Sequence, residues 1–223
     1  MPKVKEFNRS ELSNLLQEGC AELALTIEPE QQIKLLDYLQ AFHKWNKTYN
    51  LSAIRDPKDM LFKHLLDSLA ILPHFQNSPA LEIADVGTGG GLPGVPLAIC
   101  LPAKNFSLID SAGKKTRFLQ QTAHELRLNN VNVVNKRVEE HRPERACDVV
   151  VSRAFASIED MVSGCEHLLT ESGEFWAMKG LFPDEELSHL PSCYKVDSCS
   201  EIRVPGDIGE RCLVVIKPSS SST

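Results

Sequence analysis

The sequence predicts an α/β fold, in which a doubly wound, mostly parallel, Rossmann-like sheet follows an N-terminal helical cap. Three observations predict it. Apolar side chains in the first 80 residues recur at three- and four-residue intervals, as they do in helices. From about residue 81, short apolar runs alternate with helical stretches. The length of 223 residues, 42% of them hydrophobic, is enough to bury a core in one or two domains.

Three helices are predicted in the cap. Ser10 is expected to cap the first at its N-terminus. Pro29 suits the first position of the second helix, because the proline ring fixes a helical φ there. Asp56 and Pro57 combine an N-cap with a proline at the first position, which is a strong start signal. This third helix is expected to end at Pro73.

Strands and helices alternate after the cap. The last two predicted strands have little sequence between them, so an antiparallel hairpin is expected at one edge of the sheet. The predicted strands are Leu81–Val86, Phe106–Ile109, Val131–Val134, Asp148–Val151, Glu174–Met178, Val196–Val204 and Leu213–Ile216. The predicted helices are Gly94–Leu101, Gly113–Leu128 and Ser157–Leu169. We therefore expect a helical cap at 1–78, a sheet domain at 79–218 and a disordered serine tail at 219–223.

Composition argues against several classes of protein. No run approaches the roughly 18 apolar residues that span a bilayer. The first seven residues lack the apolar stretch of a secretory signal. The seven cysteines lack the short spacings of a disulfide framework or a zinc site, so we expect reduced thiols, no bound metal and a cytoplasmic location.

Charge is distributed unevenly along the chain. A net charge of −6 argues against nonspecific binding to nucleic acid, because contacts with phosphates dominate that affinity. Residues 113–145, however, hold eight basic and four acidic side chains. This block could form a local basic face on an acidic protein.

The stretch from Asp85 to Gly94 follows a predicted strand and opens a predicted helix. Gly89 to Gly94 matches the G-x-G-x-x-G pattern of dinucleotide sites, which alone is a weak signal. A carboxylate at Asp85 suits the ammonium and sulfonium groups of S-adenosylmethionine and suits a pyrophosphate badly. Pro93 and Pro96 also remove amide donors that a pyrophosphate would need. The alternative is a glycine turn that serves packing only.

Asp110 ends the second predicted strand. Its carboxylate is placed to accept hydrogen bonds from both hydroxyls of a ribose, which S-adenosylmethionine and NAD share. A nicotinamide-dependent oxidoreductase is therefore an open alternative. It is disfavoured by Asp85, by the prolines of the loop and by the lack of a Tyr-x-x-x-Lys pair.

Three blocks of sequence carry a more specific signal. The first lies within residues 43–68 and contains HKWNKTYNL, RDP and HLLDS; the second is the glycine stretch; the third is SRAFA at 152–156, with MKG and GER downstream. Together they resemble the glucose-inhibited division protein B family, the bacterial small-subunit ribosomal RNA methyltransferases G. The resemblance runs from about residue 10 to Lys217. It implies an S-adenosylmethionine-dependent enzyme that methylates N7 of a guanine (position 527) in the 530 loop of 16S rRNA.

The resemblance also implies cofactor contacts at matching positions, to which the residues argued above are added. The predicted set is Asp85, Gly87, Gly89, Leu92, Asp110, Val138, Glu139 and Arg153. Val138 would give an apolar wall for adenine, and the region of Glu139 would answer its exocyclic amine. The alternative for this charged stretch is a solvated turn between strand and helix.

The chemistry needs few special groups. Ser152–Phe155 stands where an Asn/Asp-Pro-Pro-aromatic element would polarise an exocyclic amine, and no Pro-Cys follows a strand to supply a thiolate. Guanine N7 has an available lone pair and loses no proton, so no general base is required. Positioning and electrostatics remain, and no catalytic residue is assigned. We expect Arg153 to contact the cofactor or a phosphate rather than N7.

Basic residues near the strand ends are expected to hold the RNA at one edge of the sheet. They are Lys114, Lys115, Arg117, Lys136, Arg137, Lys179 and Arg211. Phe155 is the candidate to stack on a flipped guanine, with core packing as the alternative. His64 and Asp67, three residues apart on a helix, could share a hydrogen bond that ties the cap.

The expected partner is 16S rRNA or the small ribosomal subunit, with no membrane contact and a monomeric protein. The sequence leaves open whether naked rRNA, an assembly intermediate or the complete subunit is the substrate. A non-catalytic ribosome-associated module is the remaining alternative.

Overall fold

Helices form the first third of the chain. The structure is a computed structural model that describes residues 6–153, 155, 157–206 and 208–219. The helical segments are α1 (Arg9–Glu22), α2 (Pro29–Tyr49), α3 (Pro57–Met60), a π-helical segment (Leu61–Leu66), α4 (Asp67–Leu69) and α5 (Leu72–Asn77). None of the helices in the described ranges has the length and apolar character needed to cross a membrane.

The helix starts follow local capping chemistry. Asn8, not Ser10, caps α1, because its side chain accepts a hydrogen bond from the Glu11 amide at 3.3 Å. The prediction for Ser10 was wrong, since Ser10 lies inside the first turn and Asn is an equally good cap. The predicted start of α2 at Pro29 is confirmed, and the Gln31 side chain accepts from the Glu28 amide at 3.0 Å.

The third predicted helix is interrupted earlier than expected. Its start is confirmed, because Asp56 accepts from the Lys58 amide at 2.9 Å. Helical segments then run without a break from α3 to Leu69, and the chain turns before α5 begins. Pro73 therefore does not end this helix but lies in the first turn of α5, where a missing N–H removes no hydrogen bond.

Seven strands form one sheet in the order β3-β2-β1-β4-β5-β7-β6. Strands β1 to β5 form the parallel part of the sheet. Strand β7 pairs antiparallel with both β5 and β6. The predicted fold class, with its antiparallel edge, is confirmed. The strands are β1 (Glu82–Val86), β2 (Asn105–Ile109), β3 (Val131–Val134), β4 (Cys147–Ser152), β5 (Leu169–Lys179), β6 (Tyr194–Glu201) and β7 (Cys212–Pro218).

Helices cover both faces of the sheet. They are α6 (Gly94–Cys100), α7 (Gly113–Glu125), α8 (Ile158–Cys165) and α9 (Asp184–Ser188), with 3₁₀ turns at Val138–Glu140 and Glu166–Leu168. The sequence did not predict α9, because this five-residue acidic segment has no apolar stripe. The predicted serine tail lies outside the described residues from position 220 onward.

One apolar core joins the cap to the sheet. The ring of Phe75 in α5 packs on Trp176 of β5, with ring centroids 4.3 Å apart. Phe42 of α2 meets Phe118 of α7 edge to face at 5.9 Å. A second core, around Val150, lies on the opposite face under α8. The cap is thus packed into the sheet domain and not merely tethered to it.

The cap also touches the segment after β1. The buried Tyr38 hydroxyl donates to the Gly90 carbonyl at 2.8 Å. A Cβ at Gly90 would overlap the Phe42 ring, so the absence of a side chain there lets α2 approach the loop. Two aromatic side chains of the cap therefore hold this glycine segment from one side.

We expect Tyr38→Phe to lower the free energy of unfolding by about 1 kcal/mol, because the Gly90 carbonyl would lose its buried donor. Urea denaturation measures the change. Tyr49→Phe is the matched control. Because Tyr49 is exposed, removal of its hydroxyl should change the free energy of unfolding by less than about 0.5 kcal/mol. Equal stability of the two variants would contradict the assigned role of the Tyr38 hydroxyl.

Candidate functional site

The carboxyl ends of strands β1 to β5 meet at one edge of the sheet, as parallel topology requires. Gly87 follows β1, Asp110 follows β2, Arg153 follows β4 and Gly180 follows β5. Two cavities open at this edge, and Phe155 lines the first whereas Arg153 lines the second. Most of the residues predicted to contact the cofactor or RNA line one of these two cavities, and Asp85, Gly89, Leu92, Lys114 and Arg117 line neither.

Residues 87–94, the glycine loop, turn sharply between β1 and α6. Gly87 and Gly89 have φ angles of +68° and +61°, a region that glycine enters without strain. The Gly87 amide donates to the Ile109 carbonyl at 2.9 Å, and the Gly89 amide donates to Asp110 Oδ2 at 3.0 Å. The loop is therefore fastened to the end of β2.

Asp85 lies beneath the glycine loop and is fully buried. Its Oδ2 accepts from Thr88 Oγ1 at 2.7 Å and from the Gly94 amide at 2.8 Å, whereas Oδ1 accepts no hydrogen bond from the described residues. Burial raises the pKa of this carboxyl from its ordinary value of 3.8 to about 6, against the lowering effect of the two hydrogen bonds. A Cβ at Gly94 would lie 2.7 Å from Asp85 Oδ2.

The position of Asp85 differs from the prediction that it faces a ligand. Its side chain points into the interface between β1 and α6, because neighbouring side chains of a strand alternate between the two faces of the sheet. The carboxylate consequently braces the loop from its buried side and lines neither of the two cavities. Leu92 is also buried, with its amide donating to the Thr88 carbonyl at 3.0 Å.

The first cavity has a volume of about 340 Å³ and lies between the glycine loop and the turn after β3. Four of the eight predicted cofactor residues line it: Gly87, Asp110, Val138 and Glu139. Phe155 lines the same cavity and, with Val138, packs against the second core. Ser111 also contributes to the wall, and no pattern in the sequence predicted it.

Asp110 is held in a fixed orientation at the floor of this cavity. Its Oδ1 accepts from the Ala112 amide at 2.8 Å, and its Oδ2 accepts from Gly89 and, at 3.3 Å, from Lys115 Nζ. Each carboxylate oxygen can accept more than one hydrogen bond, so the oriented group retains capacity for hydroxyl donors. Lys115, predicted to contact RNA, instead pairs with Asp110 inside the cavity wall.

The second cavity has a volume of about 300 Å³ and is lined by residues of the cap, of β5 and β7, and of the segments that adjoin the strands, among them Arg153 after β4. Asp67 is buried in its wall and accepts from Arg153 Nη1 at 2.5 Å and from Arg211 Nε at 2.9 Å. The resemblance implied that Arg153 contacts the cofactor. The structure turns its guanidinium to Asp67 and into the second cavity.

The predicted hydrogen bond between His64 and Asp67 is not formed, because the carboxylate of Asp67 faces the two arginines. His64 Nδ1 lies 3.0 Å from the Lys63 carbonyl, and Nε2 lies 2.8 Å from Ser52 Oγ. A carbonyl can only accept, so Nδ1 carries the proton and Nε2 accepts. Burial, with a smaller effect of Arg153, lowers the pKa of His64 to about 4 and keeps the ring neutral at physiological pH.

The predicted basic rim separates into three groups. Lys136 and Arg137 line the first cavity with Lys115. Lys179 and Arg211 line the second, where Lys179 Nζ pairs with Glu186 at 2.7 Å. Two further predicted residues, Lys114 and Arg117, are exposed on α7 outside both cavities. Among the described side chains, no group of three or more His, Cys, Asp or Glu could hold a metal ion.

Comparison with known proteins identifies close relatives. The model of one family, described as GidB, rRNA small subunit methyltransferase G, matches residues 31–214. Ribosomal RNA small subunit methyltransferase G of Saccharophagus degradans is 51% identical over 214 residues, which cover 96% of this chain and 95% of that protein. The protein of the same name from Alteromonas mediterranea is 47% identical over 209 residues, covering 94% and 98%.

Solved structures show the same fold at low sequence identity. A putative O-methyltransferase from Klebsiella pneumoniae aligns with a TM-score of 0.60 and 12% identity, covering 95% of this chain and 99% of that one. Magnesium protoporphyrin IX methyltransferase (ChlM) from Synechocystis PCC 6803, solved with bound SAH, aligns with a TM-score of 0.57 and 16% identity, covering 85% and 100%. At these identities the likeness shows the fold alone.

We expect the Asp85→Asn variant to gain stability relative to the unsubstituted protein as pH rises. The raised pKa of Asp85 means that its contribution to stability is complete below pH 3.8 and is lost as pH rises through about 6. An asparagine oxygen can still accept from Thr88 and Gly94 but never ionises. The predicted change between pH 4.5 and 7.5 is at most about 3 kcal/mol.

Urea unfolding across this pH range measures the difference. Asp85→Ala is the control, because it removes the acceptor and should be destabilising at every pH. A difference between Asp85→Asn and the unsubstituted protein that does not vary with pH would contradict the account of Asp85.

Proposed function

The chain belongs to the rRNA small subunit methyltransferase G family, and from this premise we propose that it methylates N7 of a guanine in 16S rRNA with S-adenosylmethionine as the methyl donor. The target we propose is guanine 527 of the 530 loop, as the sequence resemblance implied. The observation that carries the proposal is the first cavity, bounded by the glycine loop and by an oriented Asp110, in a chain of this family.

The residues of the first cavity fit S-adenosylmethionine. Asp110 has both oxygens oriented by backbone amides and lies at the end of β2, where ribose hydroxyls can donate to it. Val138 and Phe155 offer apolar surface for an adenine ring. Gly87 has no Cβ, so a ligand can approach the backbone closely. When bound, S-adenosylmethionine supplies a methyl group on a positively charged sulfur.

Methylation of guanine N7 makes a limited chemical demand on the protein. N7 attacks with a lone pair and releases no proton, so the site needs alignment and no general base. Neutral His64, which lines the second cavity with Arg153, fits this demand because burial lowers its pKa to about 4 and makes it a weak base at pH 7. We therefore propose catalysis by positioning and electrostatics.

Local basic residues would hold the RNA despite the acidic total charge. Lys136 and Arg137 at the first cavity, and Lys179 and Arg211 at the second, lie along the same sheet edge. Lys114 and Arg117 on α7 would extend this surface. We propose that the protein acts on a ribosomal surface as a cytoplasmic monomer.

The direct test is transfer of tritium from methyl-labelled S-adenosylmethionine to small subunits from cells that lack this modification. Nuclease digestion and mass spectrometry should find 7-methylguanosine in the fragment that contains the 530 loop. Parallel reactions with naked 16S rRNA and with fully modified subunits define the substrate form. Label on another atom or in another fragment would refute the proposed specificity, and no transfer to any form would refute the activity.

We expect Asp110→Ala to weaken the binding of S-adenosylhomocysteine at least ten-fold, because a charged acceptor of two ribose hydroxyls is lost. Isothermal titration calorimetry measures the affinity. Asp148→Ala is the matched control, since Asp148 also accepts from two backbone amides, those of Leu81 and Glu82, at the opposite edge of the sheet.

The control should lower stability and leave this affinity within two-fold of the unsubstituted protein. Equal affinities of the two variants would remove Asp110 from the proposed site. Titration with NADH provides a further check, and tighter binding of NADH than of S-adenosylhomocysteine would favour the oxidoreductase alternative.

A further inference from the structure

We propose that the second cavity binds the phosphate of the RNA nucleotide that is methylated, and that Asp67 is a positioning residue which holds Arg153 and Arg211 for this contact. The inference rests on the proposed function and adds to it a binding site and its ligand, a phosphodiester of a single RNA nucleotide.

The wall of the second cavity is predominantly positive. It carries Lys63, Arg153, Lys179 and Arg211, against the single carboxylate of Asp67. The carboxylates that pair with the two lysines, Asp59 at 3.9 Å from Lys63 and Glu186 at 2.7 Å from Lys179, are not part of the wall. Such a wall favours an anionic ligand, and in an RNA substrate the anion is a phosphate.

Asp67 acts as a shared anchor behind the two arginines. Its side chain is 6% exposed, whereas those of Arg153 and Arg211 are 22% and 29% exposed. Each carboxylate oxygen accepts from one guanidinium, and the two arginines are 86 and 144 residues away in sequence. Asp67 therefore orients both guanidinium groups from a buried position. Both arginines also line the second cavity.

Arginine is well suited to the ligand inferred here. A guanidinium has five N–H donors in a rigid fork that matches the oxygens of a phosphate. Arg211 directs Nε to Asp67 and Nη1 to the Glu210 carbonyl at 2.7 Å, which fixes the plane of the group. A pre-oriented guanidinium loses less side-chain entropy when it binds a phosphate.

The second cavity is next to the proposed cofactor cavity. Arg153 lines the second and Phe155 lines the first, with one residue between them. Lys179 Nζ, in the wall of the second cavity, donates to the Phe155 carbonyl at 3.3 Å. A nucleotide anchored by its phosphate in the second cavity could therefore direct its base toward the methyl donor, as enzymes that flip bases do.

The helical cap supplies three side chains to the wall of the second cavity. Lys63 and His64 belong to the π-helical segment, and Asp67 follows it directly. π-Helical turns are rare and are frequent at functional sites. In this chain the segment brings three side chains of the cap to the carboxyl edge of the sheet, where the cap completes the wall of the second cavity.

Equilibrium binding of undermodified small subunits, measured by filter retention with saturating S-adenosylhomocysteine, tests the inference. Binding is measured without methyl transfer. A result that refutes the phosphate site can therefore be told apart from one that refutes the proposed methylation. We expect Arg211→Gln to reduce the slope of log affinity against log salt by about 1 between about 50 and 200 mM salt. Arg145→Gln is the control, because Arg145 is 81% exposed, lies outside both cavities and should leave the slope unchanged.

Asp67→Asn tests the positioning role. We expect this variant to bind subunits about ten-fold more weakly with its S-adenosylhomocysteine affinity within two-fold, and Asp67→Glu to recover part of the loss. An unchanged salt slope for Arg211→Gln would overturn the phosphate site. A folded Asp67→Asn protein with unchanged subunit affinity would overturn the anchoring role. If Asp67→Asn does not fold, Arg153→Lys decides the role, since loss of the fork should weaken subunit binding and an unchanged affinity would refute it.

Discussion

A buried carboxylate beneath a glycine turn is the constraint on which the proposed site depends. Asp85 is sealed between β1 and α6, and its Oδ2 joins the start of the loop at Thr88 to the first residue of α6 at Gly94. The two hydrogen bonds offset part of the cost of burying the charged carboxylate. The cost that they do not offset raises the pKa of Asp85. Because the turn is closed from below, its upper side is left available to a ligand.

Residues of the cap and of the sheet lie together at the edge where the parallel strands end. Tyr38 and Phe42 hold the glycine loop from the side of the cap, whereas Asp67 reaches from the cap to arginines that follow β4 and precede β7. The cap thus packs against the glycine loop and contributes Lys63, His64 and Asp67 to the wall of the second cavity. An acidic protein can in this way present a local positive surface to RNA, since Lys63, Arg153, Lys179 and Arg211 meet at the second cavity.

Much of the fold, and part of the proposed site, could be predicted from the sequence. Apolar runs between helical stretches located all seven strands, and Gly87 and Asp110 could be placed because residues after parallel strands must share an edge. The orientation of Asp85 could not be predicted, since it depends on which face of β1 is covered by α6. The pairing of Asp67 with Arg153 and Arg211 depends on side chains far apart in sequence, for which local patterns carry no signal.

The most direct test of the central claim is a crystal structure of the protein soaked with S-adenosylhomocysteine. The account predicts electron density in the first cavity, with the ribose hydroxyls within hydrogen-bond distance of Asp110 and the adenine beside Val138. It also predicts that Asp85 stays buried beneath the loop without touching the ligand. Density elsewhere on the protein, with this cavity filled only by solvent, would contradict the account.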